Sequence, residues 1–104
     1  GAEPWPAGVP LALDITAIFA VPVSWSKRRR LSAYAGETWP TGPRNDVDNI
    51  LKVVCDALNG VLWADDGQVV MANVLRRYVS EGEMPEVRVA IAEVPAGGAA
   101  RVAT

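Results

Sequence analysis

Between Val47 and Val61 the apolar residues Val47, Ile50, Leu51, Val54, Leu58 and Val61 form one stripe at three- and four-residue spacing, the period of a helix with one buried face. This stretch constrains the fold most, because an apolar stripe must be covered and the rest of the chain offers mainly strands to cover it. Leu11, Leu13, Ile15, Ala17 and Phe19 alternate with polar Asp14 and Thr16, which predicts a strand with one buried face, ended by Pro22. Residues 68–78 read as a Val-rich strand and Glu81-Gly82-Glu83 as a hairpin turn. Val87, Val89 and Ile91 then alternate with Glu86, Arg88 and Ala90 in a last strand. Asn59-Gly60 is a natural helix stop.

The predicted order is therefore strand, long loop, helix, strand, strand. That is an α+β fold, a small mixed or antiparallel sheet packed with one main helix, in a single domain over residues 1–104. Residues 1–10, rich in Pro, Gly and Ala, and the Ala- and Gly-rich residues 95–104 are expected to be flexible. Residues 24–45 carry Ser, Gly, Pro and basic residues and read as a long loop with a short helical turn around residues 28–33. Trp25, Tyr34 and Trp39 are expected to anchor that loop to the body, in preference to stacking on bases. One helix over three strands makes a thin core for 104 residues, so a partner subunit is expected to cover part of it.

Composition removes several kinds of chemistry. The chain has no histidine, which excludes an imidazole base, an imidazole metal ligand and the logic of serine and cysteine proteases. Cys55 stands alone, so an internal disulfide and a multi-cysteine metal site are excluded, and a reducing cytoplasm fits. Its reading is that of a small packing residue. No apolar run approaches the roughly 20 residues of a membrane span. The net charge of −2 argues against a protein that coats nucleic acid, yet Lys27-Arg28-Arg29-Arg30 is a compact basic run and Arg44 precedes a group of acids. Such patches suit phosphate binding, although a solvated basic loop accounts equally well for the run alone.

Those acids carry the functional reading. Asp46-Val-Asp48-Asn49 opens the helix, Lys52 follows four residues after Asp48, and Asp65-Asp66 lies between helix and strand. Asp46 and Asp48 fall where a helix N-terminus favours carboxylates, and Asp-Asp-Gly is an ordinary turn. An EF-hand is excluded, because Ile50 and Ala57 occupy ligand positions of such a loop. If the returning chain brings Asp66 beside the helix, the aspartates offer oxygen ligands to a hard cation such as Mg²⁺. Lys52 would share that face. Spacing alone leaves a metal site and a set of caps equally open.

In sequence order, Asp46-Val-Asp48-Asn49-Ile-Leu-Lys52, Asp56-Ala-Leu-Asn59-Gly60 and Trp63-Ala-Asp65-Asp66-Gly-Gln68-Val-Val resemble the core of the RusA Holliday-junction resolvases. The resemblance covers residues 9–93 and is sharp over residues 44–70. The stretch 23–30 is also similar to a basic segment that many members carry before the aspartates. What the resemblance implies is a homodimeric, Mg²⁺-dependent endonuclease, able also to use Mn²⁺, that nicks branched DNA symmetrically near the crossover. The family's metal-site acids map onto Asp46, Asp48 and Asp66, and its catalytic lysine onto Lys52. Asp65, Asn49 and Gln68 would support them, Asp56 would shape the helix surface, and Lys27, Arg28, Arg29, Arg30 and Arg44 would contact DNA phosphates. A bacterial or phage protein of the cytoplasm, acting in recombination and repair, follows from the same resemblance.

Two departures accompany it. Many members have Pro directly before the first aspartate, where this chain has Asn45. Members also begin with a further strand and helix before the segment aligned with Leu11, and these are expected to be absent here. The rival readings are a nuclease for flaps or simple branches, a catalytically silent branched-DNA-binding module, and a structural domain whose aspartates merely cap helices.

Overall fold

The computed structural model of the chain describes residues 3–95. Three strands form one mixed sheet in the order β2-β1-β3, with β1 spanning Leu11–Phe19, β2 Val69–Tyr78 and β3 Glu86–Glu93. Two helices accompany it, α1 over Lys27–Tyr34 and α2 over Val47–Leu58. The α+β expectation holds. Of the flexible tail expected over residues 95–104, residues 96–104 lie outside the described residues, as do residues 1 and 2.

β1 takes the centre because it is the most apolar strand and gains two ladders there. Leu11, Leu13, Ile15 and Ala17 are each no more than 2 % exposed. By alternation they all point to the face covered by Ile50 and Val54 of α2 and by Trp63. Fully burying a Leu or Ile side chain contributes roughly 1.5–3 kcal/mol, so this row and the helix stripe are the main source of stability. β1 and β2 run parallel, in register from Leu11↔Val69 to Phe19↔Tyr78 with an irregularity after Leu11. Parallel neighbours need a crossover connection, and α2 supplies it.

β3 runs antiparallel to β1, from Leu11↔Glu93 to Ile18↔Glu86. Here the structure corrects one expectation. The Glu81-Gly82-Glu83 turn does not close a hairpin, since β2 and β3 lie on opposite edges of the sheet with β1 between them. Residues 79–85 instead pass the end of β1, where the Val79 N–H donates to the Phe19 carbonyl at 2.9 Å. Gly82 takes the left-handed conformation (φ 80°) that the turn requires. A bidentate ion pair from Arg77 to Glu83, at 2.6 and 2.8 Å, braces the connection.

The segment before α2 is also more structured than a loop. α1 is a full eight-residue helix capped by Ser26, whose hydroxyl accepts the Arg29 N–H at 3.2 Å. Only Ala33 of α1 is buried, against Ile18, Val21 and Val79 at the end of β1. Trp25 explains the anchoring: its ring meets Tyr78 edge-on at 5.3 Å and carries the Arg29 guanidinium over its face at 3.6 Å. Trp25 thus anchors the segment as expected, while Trp39 stays half exposed.

Residues 3–10 form a strap across the end of the sheet. The Trp5 N–H donates to the Leu62 carbonyl at 2.8 Å, its indole donates to Glu93 at 2.9 Å, and the Val94 N–H donates to the Pro10 carbonyl at 2.9 Å. α2 covers β1 and the β2 side, leaving an apolar groove of about 240 Å³ beside β3, lined by Val53, Val54, Ile50 and Val87. Val53 is 62 % and Val87 55 % exposed. No helix among the described residues is long and apolar enough to cross a membrane.

Candidate active site

The first part of the site is the N-terminus of α2. Asn45 adopts a left-handed backbone (φ 53°), a conformation Asn tolerates better than most non-glycine residues. Proline, fixed near −65°, cannot adopt it, so Asn suits the approach this chain takes to the helix. That approach is held by Arg76 of β2, whose Nη1 donates to the carbonyls of Gly42, Arg44 and Asn45 at 3.0, 3.3 and 3.3 Å. Asp46 then caps the helix, its Oδ1 accepting the Asn49 N–H at 2.9 Å. One oxygen of Asp46 is therefore committed to the fold, as a cap reading requires, while the other is not.

Asp48 lies in the first turn, and both it and Lys52 are exposed. Positions 48, 52 and 55 fall four and then three residues apart, so Asp48, Lys52 and Cys55 share one face of α2.

The second part is a turn hung from the core. Residues Asp66–Gln68 form one 3₁₀ turn, capped by Asp65, whose Oδ2 accepts the Gly67 N–H at 2.9 Å. Trp63 is fully buried, and its indole Nε1 donates to Asp66 Oδ1 at 2.8 Å. This bond fixes one oxygen of a half-buried carboxylate and leaves the other free. Gln68, the one buried polar residue among those described, uses its whole amide on backbone. Oε1 accepts the N–H groups of Ala64 and Asp65 at 2.9 Å each, and Nε2 donates to the carbonyls of Pro6 and Val9 at 2.8 and 3.1 Å. Its place is that of a bolt between strap and acidic turn.

The two parts meet along α2. Burial pushes the Cys55 thiol above its ordinary value, and the negative charges of Asp66 and then Asp56 push it further. Cys55 itself lies seven residues, or roughly 10 Å, along the helix axis from Asp48. Among the described residues, no three acidic or cysteine side chains gather closely enough to hold one ion. The donor chemistry nonetheless suits a hard cation, because every candidate ligand is an oxygen. Mg²⁺ typically takes only one or two carboxylates, with waters and substrate phosphate completing its shell.

Of the basic residues, Lys27 and Arg28 are exposed, Arg29 is drawn over Trp25 and Arg30 is half-buried. Arg44 is exposed ahead of Asp46. Sequence reasoning missed two supporting residues. Trp63 offered only the signal of a tryptophan three residues before a candidate acid. Arg76 offered a better one, since it falls in the apolar phase of β2, opposite Ala17, where a charge needs a partner.

A family model described as endodeoxyribonuclease RusA matches residues 3–92. The chain is also 40 % identical over 89 residues to the uncharacterized protein YqaN of Bacillus subtilis (strain 168). That alignment covers 84 % of this chain and 60 % of the relative, so the chain spans well under two thirds of the relative's length. No solved structure matches the chain.

Proposed function

The chain belongs to the RusA endodeoxyribonuclease family, and on that premise we propose that it resolves four-way DNA junctions by paired nicks in a Mg²⁺- or Mn²⁺-dependent reaction. The observation that carries this reading is the exposed face at the start of α2, where Asp48 and Lys52 stand one turn apart. When bound, the divalent cation supplies Lewis acidity towards the phosphodiester and a lowered pKa for its water. Asp48 and the free oxygen of Asp46, at the start of α2, are the groups that would hold it, with the free oxygen of Asp66 joining them once the acidic turn closes on the helix.

Lys52 places an ammonium one helical turn from Asp48. Its charge is available to a phosphoryl oxygen as negative charge builds there. Trp63 and Arg76 keep the two acidic segments in place. Asp65 and Gln68 shape the turn beneath Asp66, and the Asn49 backbone locks Asp46 as a cap. With no histidine in the chain, proton transfer falls to water and carboxylates. Lys27, Arg28 and Arg44 meet phosphates, contacts that read shape more than sequence.

Two nicks on a two-fold junction call for two symmetric sites, hence a homodimer. The uncovered groove at Val53 and Val87 supports a surface of that kind. A role in recombination and repair, in the cytoplasm of a bacterium or a phage-infected cell, belongs to the same proposal. The separation of Asp66 from Asp46 and Asp48 favours a second reading, a branched-DNA-binding module that does not cut. Incubating labelled four-way junction, flap and linear duplex with Mg²⁺ or EDTA separates them. Paired nicks on the junction alone support the resolvase, equal cutting of flaps marks a broader branch nuclease, and a gel shift without nicks supports the second reading.

A further inference from the structure

We propose that the cleft between the end of β1, the loop before α2 and the end of β2 is a subsite for one unstacked nucleotide of the DNA. The cleft encloses about 330 Å³, within the size range of small-molecule sites. Phe19, Pro22, Pro40 and Tyr78 give it apolar walls, and the cationic residues Arg44 and Arg76 also line it. Among the described residues, no carboxylate lines it.

That combination of apolar walls and paired cations matches a flat ring carrying an anion. Aromatic faces with adjacent arginine are how proteins hold bases outside a duplex. A base inside an intact helix cannot present its face, so the site selects nucleotides freed at a branch. The walls are also preorganised. Trp25 braces Tyr78 edge-on at 5.3 Å, and the bonds that fix Arg76 run through Nη1 alone. Asn45 lines the cleft and immediately precedes Asp46. A nucleotide seated there therefore sets which phosphate reaches the carboxylates. This rests on the DNA-nuclease reading and supplies what the phosphate contacts lack, a place where base identity can be felt.

Gly42 permits a clean test. It lines the cleft, its φ lies outside the left-handed region, and a Cβ added there meets nothing within 4 Å, so Gly42→Trp adds a bulky ring to the lining without backbone strain. Amide NMR shifts are followed as a single-stranded tetranucleotide is added in EDTA, with inorganic phosphate as a second titrant. The expected result is saturable shifts at Gly42, Asn45 and Tyr78 in the unaltered chain. Affinity should fall about tenfold or more in Gly42→Trp, since base–aromatic stacking is lost, with phosphate alone giving no comparable shift.

Should Gly42→Trp fail to fold, Pro40→Glu places a carboxylate at the mouth and should weaken binding likewise. Shifts confined to α1, equal affinity in the variants, or an equal response to phosphate would overturn the subsite. Because no cation is present, these outcomes are independent of nicking. Cleft shifts without junction cleavage would sink the nuclease reading and leave the subsite standing, and cleavage without cleft shifts would do the reverse.

Discussion

Replacing Gln68 by methionine keeps the length and most of the volume of the side chain and removes all four of its hydrogen bonds. Each such bond contributes about 1 kcal/mol net, which sets an upper figure near 4 kcal/mol. The freed backbone groups of Pro6, Ala64 and Asp65 belong to exposed residues, so water recovers part of that loss. The expected destabilisation is about 2–3 kcal/mol, a large share of the roughly 5–15 kcal/mol that holds a domain together. In a chain of this size it lowers the thermal midpoint by roughly 10–20 °C. Urea unfolding at unchanged m-value measures the global term, and amide exchange at Ala64 and Asp65 measures the local one. A loss below about 1 kcal/mol, or unaltered exchange at those two amides, would refute the bolt between strap and acidic turn.

Asn45→Gly is expected to leave stability within about 1 kcal/mol, because glycine takes a positive φ freely. Asn45→Pro should unseat Asp46 and Asp48, with loss of nicking that circular dichroism of the remaining fold does not explain. Arg77, then the Ser80 N–H, hold the Glu83 carboxyl down from 4.5 to about 2. A depressed carboxyl contributes stability that is full above its ordinary value and is lost as pH falls from about 4.5 towards about 2. Thermal midpoints of the unaltered chain and Glu83→Gln should therefore converge across that acid window; parallel curves would count against the pair. Lys52→Ala should slow nicking by about tenfold or more while junction affinity in EDTA stays unchanged. Loss of binding with cleavage intact would remove Lys52 from its assigned role.

What the sequence made legible follows from the range of the forces involved. β1 and α2 announce themselves because burial imposes periods of two and 3.6 on neighbouring residues. α1 carries no apolar stripe. Its helix depends on the Ser26 cap and on Trp25, which reaches Tyr78 from 53 positions away in the chain, so only a helical turn could be read there. The turn after β2 was visible but its pairing was not, because adjacency in sequence favours a hairpin and competition for β1 decides otherwise. The candidate acids and Lys52 were found by spacing and by resemblance. Their supports, the Trp63 indole on Asp66 and the Arg76 clamp reaching 34 residues back to Gly42, are tertiary contacts that no local pattern encodes.

The measurement that bears most directly on the central claim is nicking of a labelled synthetic four-way junction, by the unaltered chain and by Asp48→Asn, with Mg²⁺ and with EDTA. The account predicts paired nicks near the crossover that require Mg²⁺, and a variant that still shifts the junction in a gel but does not cut it. A junction left intact by the unaltered chain in Mg²⁺, or cut equally well by Asp48→Asn, would contradict it.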